Sequence, residues 1–311
     1  MRIAVTGSNG FVGSHLCEYL ETKNFDVTRI QRKSGSNCFY IPKIDKNTDW
    51  AKALKEVDTV IHCASIVHSL NEKNFESLHF YRNFNVLATK KLAEDASKYG
   101  VKRFIFISSI KVNGEKTYLD YPFNNKSNTN PEDAYSLSKL EAEEVLKKIS
   151  KETGLDYVII RPPIIYGPGV KANFVKLLKY AKYNLPFPFA KIKNLRSILY
   201  IGNLTSFIEK CLLTDNSSAK TFLVSDGEPL STNDLFKEIS LHMGKKPNSF
   251  SIPRVFMNFI GKCIGKRKEI DLLSSSLVID SLDLKKLIDW DPPYSTHKGL
   301  QLTVKWFLKN K

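Results

Sequence analysis

The chain has 311 residues and is 42% hydrophobic, enough apolar material for a two-lobed core and too much for general disorder. Its net charge of +15 is spread as lysine over helical faces, with no clustered stripe of cations and aromatics to hold nucleic acid, and no apolar run is long enough for stable membrane insertion. The five cysteines (Cys17, Cys38, Cys63, Cys211, Cys263) lack metal-ligand spacing and read as reduced thiols, so no metal is expected; Met1-Arg2-Ile3 runs straight into a strand, leaving no room for a signal peptide, and a cytoplasmic location is expected.

The first element is an apolar strand around Ile3, of the kind buried on both faces. T-G-S-N-G-F-V-G follows over 6–13, and Phe11, Val12, Leu16, Tyr19 and Leu20 recur with helical period through 11–23. Strand, tight turn and helix in this order make a dinucleotide cradle. Gly7 permits a turn that a Cβ disfavours, Gly10 leaves room for a pyrophosphate at the helix N-terminus, and Gly13 lets the helix lie close to the sheet. Thr6, Asn9, Phe11 and Val12 belong to the same cofactor loop. The next strand, around Val27, ends in Ile30-Gln31-Arg32-Lys33. No carboxylate stands there to bind a ribose hydroxyl pair, and Arg32 with Lys33 favours NADP(H) over NAD(H).

A helix over 49–55, a strand around Val60 and a long helix over 75–99 come next. The apolar strand of 101–109 ends in Ser108 and Ser109, at the carboxyl end where ligands sit in such sheets. Asn130-Pro131-Glu132 reads as a helix start, with Asn as cap, Pro at the first position and an acid in the first turn; the helix runs to 153. Tyr135 and Lys139 lie four apart on it and share a face. A phenol titrates near about 10. A neighbouring ammonium and a positive nicotinamide favour the phenolate, and Tyr135 can then exchange a proton with an alcohol or ketone whose oxygen Ser109 holds. A strand around Val158 completes a βα alternation to about 161, which gives a parallel sheet with helices on both faces.

Beyond Gly167 the alternation breaks. Helices are expected over 171–182, 203–213, 231–243, 253–263, 282–288 and 296–308, with strands over 221–224 and 277–280. The expected fold class is therefore α/β, a Rossmann doubly wound parallel sheet over 1–166 with a returning segment at about 196–226. A smaller mixed substrate lobe of 167–195 and 227–311 would close the crevice. The polar loop of 118–129 is its expected mobile rim. Phe256, Phe259, Ile260 and Ile264 form an apolar stripe within the basic segment 253–268, read as packing on its own lobe.

These motifs resemble the extended short-chain dehydrogenase/reductase family, in its epimerase, dehydratase and ketoreductase branch. The similarity rests on T-G-S-N-G-F-V-G, D-T-V-I-H-C-A-S (58–65), I-S-S-I-K-V-N-G-E (107–115), Y-S-L-S-K (135–139), R-P-P-I-I-Y-G-P-G (161–169) and L-Y-I-G-N-L (199–204). The resemblance implies Ser109, Tyr135 and Lys139 as catalytic residues, with Tyr135 and Lys139 also on the cofactor. It places His62, Cys63, Ala64 and Ser65 where the fourth strand passes the cofactor. Asn85 and Pro162 fall near the nicotinamide. Asn173 and Arg196, with Ser109, fall on the sugar nucleotide, Arg196 suiting a phosphate by its planar fork. Ile110 and Lys111 replace the Asp-Glu pair of dehydratases, which argues against dehydration.

The implied function is NAD(P)-dependent chemistry at carbon 4 of a UDP-sugar. The first form of it is a UDP-hexose or UDP-N-acetylhexosamine 4-epimerase of surface polysaccharide synthesis, with a UDP-sugar partner and a homodimer built on helices 75–99 and 131–153. The alternatives are an NADPH-dependent reductase of a UDP-4-keto-6-deoxy-sugar and a non-catalytic cofactor-sensing or RNA-binding relative.

Overall fold

The computed structural model describes residues 1–35, 38–66, 75–253, 256–257, 262, 265 and 267–310. Seven parallel strands form the main sheet: β1 (Arg2–Thr6), β2 (Asp26–Gln31), β3 (Phe39–Tyr40), β4 (Thr59–His62), β5 (Arg103–Ile107), β6 (Asp156–Arg161) and β9 (Lys220–Leu223), in the order β3-β2-β1-β4-β5-β6-β9. The order reverses at β1. That reversal opens a crevice beyond the strands' carboxyl ends between β1 and β4. β7 (Ile164–Tyr166) and β8 (Ile198–Tyr200) pair in parallel as a separate two-stranded sheet.

Side-chain alternation explains the two layers. Ile3, Val5, Ile61, Ile105, Ile107, Val158 and Ile160 point to one face, into a core shared with α1 (Phe11–Thr22) and α6 (Ile201–Leu213). Ala4, Val60, Phe104, Phe106 and Ile159 point to the other, against α3 (Ala88–Lys98) and α4 (Ala134–Thr153). A strand packed on both faces has no polar phase, which is why these segments read as continuous apolar runs.

Several expected elements differ. The helix over 49–55 is a set of turns that ends at Glu56, whose φ is +58; so short a segment gains too few hydrogen bonds to offset helix nucleation. The long helix of 75–99 is three pieces: α2 (Phe75–Tyr81), a π-helical stretch (Arg82–Leu87) and α3. The helix bearing Tyr135 starts at Ala134. Its cap is Asp133 rather than Asn130, because Asp133 Oδ1 accepts from Ser136 N at 2.6 Å while Ser136 Oγ accepts from Asp133 N at 3.1 Å. This reciprocal box leaves Pro131 outside the helix. Segment 277–280 is extended but forms only isolated bridges, Arg196 with Leu277 and Phe123 with Ile279. Those bridges, with Phe123 N donating to Val278 O, lace the 118–129 loop, expected as a free rim, to segment 277–280. The remaining helices beyond β7, among the described residues, are α5 (Ala172–Lys182), α7 (Thr232–His242), α8 (Arg267–Ser274), α9 (Asp283–Ile288) and α10 (Thr296–Asn310). Phe256 is exposed, while Phe259, Ile260 and Ile264 of the apolar stripe, and Cys263, lie outside the described residues. Among the described residues, no helix is long and apolar enough to cross a membrane.

Candidate active site

The glycine turn sits at the end of β1. Gly7 has φ +68, and a Cβ on it would lie 2.9 Å from the Ala64 backbone; one on Gly13 would lie 2.3 Å from Gly7 O. Neither position tolerates a side chain without moving backbone. Gly10 caps α1 with no side chain over the helix end. Its first-turn N–H groups therefore take no side-chain cap and are the donor set a pyrophosphate takes. Asn9 is exposed, and Phe11 and Val12 are half-buried. Arg32 is exposed just beyond β2. This cradle fits a dinucleotide.

A buried chain of hydrogen bonds fixes the far side of the cradle. Thr6 Oγ1 bonds to His62 Nδ1 at 2.6 Å and accepts from Ala64 N at 3.3 Å. His62 Nε2 meets Thr89 Oγ1 at 3.1 Å, and Thr89 donates to Asn85 O at 2.5 Å. Asn85 Oδ1 accepts from Ser65 Oγ at 3.2 Å and Ile66 N at 3.1 Å; its Nδ2 donates to Ser138 Oγ at 3.0 Å. Burial lowers His62 to about 3, so it is a neutral relay of hydrogen bonds and not a cation. Asn85 lies in the π-helical stretch, whose extra residue per turn aims it at α4, a common device at functional sites. Cys63, beside Ala64, is a free thiol raised by burial.

Ser109 lies at the end of β5 and caps a short 3-10 turn, Ile110–Val112, its Oγ accepting from Lys111 N at 3.2 Å. Pro162 is buried behind that turn and its carbonyl accepts from Ile110 N at 2.9 Å. Tyr135 lies within electrostatic reach of Lys111, Asp133 and Ser65 and meets Tyr81 edge-on at 6.0 Å between centroids. Ser109, Tyr135, Ser65, Asn85 and Pro162 are thus brought to the sheet end that holds the glycine turn. Asn173 is exposed in the first turn of α5.

The electrostatics differ from the sequence expectation. Burial pushes the Tyr135 phenol up to about 12, against the ordinary 10, and the cation that opposes this is Lys111. Lys139 points elsewhere. It is 1% exposed, its Nζ donates to Ile107 O at 2.7 Å and stands 4.1 Å from the Phe106 ring centroid. Burial lowers its ammonium to about 7. Lys111 is the residue that sequence reasoning missed. Its Nζ bonds Glu115 Oε1 at 2.7 Å and Asp133 Oδ2 at 2.8 Å, which ties the Ser109 turn to the cap of α4. The signal lay in its position two residues after Ser109, noted only for the carboxylate it lacks.

The second omission is a buried ion pair. Glu143 stands one further turn along the stripe of Tyr135 and Lys139. It accepts from Arg161 Nε at 3.0 Å, from Arg161 NH2 at 2.5 Å and from Ser108 Oγ at 2.5 Å. Arg161 NH1 continues to Asn113 Oδ1 at 3.0 Å. Side-chain exposures of 0% and 7% put both charges in the interior.

Arg196, just before β8, is half-buried, and its NH1 donates to Leu272 O at 2.7 Å and Ser275 O at 3.1 Å. Burial lowers its pKa, while Glu115 raises it. A cavity of about 900 Å³ opens alongside, lined by Lys116, Lys191, Lys193, Asn194 and Ser275 among others; Ser109 and Tyr135 do not line it.

A model of the NAD dependent epimerase/dehydratase family matches residues 3–222, spanning the cradle, Ser109, Tyr135 and Lys139. The chain belongs to that family. It is 38% identical over 313 residues to a UDP-glucose 4-epimerase of Vibrio cholerae, covering 99% of this chain and 95% of the relative. An N-acetyl-alpha-D-glucosaminyl-diphospho-ditrans,octacis-undecaprenol 4-epimerase of Escherichia coli O157:H7 is 25% identical over 98% of this chain and 94% of its own. The fold matches the UDP-glucuronic acid 4-epimerase of Bacillus cereus in complex with NAD, at TM-score 0.79, 22% identity and 99% coverage of both chains. The parallel sheet with helices on both faces is the Rossmann architecture expected from the sequence, and the protein is an NAD-dependent enzyme of the extended short-chain dehydrogenase/reductase branch.

The state of Lys139 makes a pH-dependent prediction. Its folded value of about 7 lies below the ordinary 10.5. Between those pH values the unfolded chain binds more protons, so stability rises with pH. Lys139→Met removes this dependence. Relative to the variant, the wild type should lose about 2 kcal/mol of stability on going from pH 9 to pH 7. Thermal melts across that range measure it, and parallel pH slopes would mean that the amine is not desolvated.

Proposed function

We propose that the protein is a UDP-hexose 4-epimerase that makes a sugar nucleotide for surface polysaccharide. The observation that carries the proposal is the 38% identity to a UDP-glucose 4-epimerase over 99% of this chain, together with the Gly7-Gly10-Gly13 cradle at the sheet end where Ser109 and Tyr135 stand and Lys139 follows Tyr135 on the same helix. NAD held there supplies a site that takes a hydride from carbon 4 and gives it back. The chain's own part is the proton and the position. Tyr135 takes the proton from the carbon 4 hydroxyl and returns it, Ser109 hydrogen-bonds that oxygen, Lys111 supplies positive charge near the phenol, and Lys139 would leave Ile107 O to hold the cofactor ribose. Thr6, Asn9, Phe11, Val12, Cys63, Ala64, Asn85 and Pro162 line the cofactor. Asn173 and Arg196 face the diphosphate, and Lys116, Lys191 and Lys193 give the adjoining cavity the charge such a group needs.

Incubation with UDP-glucose, UDP-galactose and UDP-N-acetylglucosamine, without added cofactor, tests this. Interconversion at carbon 4 together with NAD in an acid extract is expected. No conversion of any of them, with steady NADPH consumption on a UDP-4-keto-6-deoxy-sugar, would support a reductase, the reading that exposed Arg32 favours. Arg196→Ala should weaken UDP-sugar binding by about 2 kcal/mol or more, as for truncating one side of a charged hydrogen-bonded pair. Titration calorimetry measures this, and an unchanged affinity would remove the phosphate role from Arg196. Helices α2 to α4 are the proposed homodimer face and the cytoplasm the proposed location; sedimentation of the purified chain as a monomer would contradict the former.

A further inference from the structure

Away from the crevice, Glu238 and His242 stand four residues apart on α7 and face His297 in the first turn of α10. One ligand atom from each lies within 4.8 Å of the others. Glu238 Oε2 is 3.0 Å from His297 Nδ1 and 3.9 Å from His242 Nε2. The two imidazole rings are 4.5 Å apart between centroids.

As a hydrogen-bonded cluster this arrangement is incomplete. The contact of 3.9 Å is too long for a hydrogen bond. His242 Nε2 is buried without a partner, on a side chain only 10% exposed. A buried nitrogen left without a partner loses its hydration with no bond to replace it. A cation between the three atoms would satisfy all of them at once. Zinc takes imidazole nitrogen and carboxylate oxygen at about 2.0–2.2 Å in tetrahedral geometry, which sets ligand atoms about 3.3–3.5 Å apart. The observed 3.0 and 3.9 Å bracket that spacing. His297 is 69% exposed, leaving room for water at a fourth position. Two nitrogens and one oxygen suit zinc and its transition-metal neighbours over magnesium or calcium, which prefer all-oxygen sites.

We propose that Glu238, His242 and His297 form a binding site for a zinc-class divalent cation that pins α10 to α7. The pin has a route into the lobe. Tyr166 of β7 donates to Thr296 O, the residue before His297, and to Asp226 Oδ2. The three ligands are separated by up to 59 residues in sequence, so no local spacing announced them.

Tag-free full-length protein, stripped with chelator and titrated with zinc chloride near pH 7.5, tests the proposal. One zinc per chain is expected, with a higher thermal midpoint. His242→Ala, His297→Ala and Glu238→Gln should each weaken binding at least about 10-fold and abolish the thermal shift. Cobalt(II) should give the intense visible absorption of a tetrahedral site in the parent and not in the variants. His297→Ala removes an exposed ring, so its fold and sugar-nucleotide turnover should be unchanged. Absence of saturable binding, or zinc bound equally well by all three variants, would overturn the proposal. Neither outcome bears on chemistry at Tyr135.

Discussion

Tyr135→Phe should lower kcat by about 10²–10⁴-fold, the usual worth of a positioned general acid–base group, while NAD binding stays nearly intact. The variant keeps the ring. It therefore keeps the edge contact with Tyr81 and loses only the hydroxyl. The protein alone holds this phenol high, at about 12. The enzyme thus rests with the proton in place, and release to a base form depends on positive charge gathered beside the ring. Lys111 is one source, fixed two residues from Ser109 by Glu115 and Asp133. Steady-state turnover with each UDP-hexose, paired with calorimetric titration of NAD, separates the roles. Undiminished turnover would remove Tyr135 from proton transfer, and lost NAD affinity with unchanged kcat would make it a cofactor ligand only.

The largest stability effect is expected at Glu143. Glu143→Ala leaves the Arg161 guanidinium as an uncompensated buried charge and strips Ser108 of its acceptor. Breaking a buried pair from one side costs about 3–5 kcal/mol. Replacing both partners with apolar residues of similar volume should recover much of that, because the desolvation cost of two charges disappears with their attraction. Activity should not recover with stability. The pair clamps three elements behind the site: α4 through Glu143, the end of β5 through Ser108, and the Ser109 turn through Asn113. Thermal melts of Glu143→Ala, Arg161→Met and the double variant Glu143→Met/Arg161→Met, alongside kcat, give the comparison. A double variant no more stable than Glu143→Ala would show that the pair does not behave as a unit.

The architecture was legible where physics is local. Parallel strands buried on both faces announce themselves as apolar runs, and the Gly7-Gly10-Gly13 turn reports a backbone approach that no side chain allows. The pairing of Tyr135 with Lys139 follows from helical period alone. What escaped depends on distant partners. Glu143 and Arg161 look like ordinary solvated charges until the fold sets them against each other. Lys139 shares a face with Tyr135, yet its amine turns to Ile107 O because a desolvated ammonium takes the nearest carbonyl. β7 and β8 are three residues each and pair with each other across more than thirty residues of chain. The choice of Asp133 over Asn130 as cap was readable in principle, since D-A-Y-S places a hydroxyl three residues after the acid.

The most direct measurement follows the hydrogen on carbon 4. UDP-[4-²H]glucose, incubated with the purified protein in ordinary water, should yield UDP-galactose with deuterium retained at carbon 4, because a hydride that leaves and returns within one crevice never meets solvent. Deuterium lost to water, or solvent hydrogen gained at carbon 4 or carbon 5 when the reaction is run in D₂O, would mean inversion by deprotonation and would contradict hydride chemistry at Tyr135.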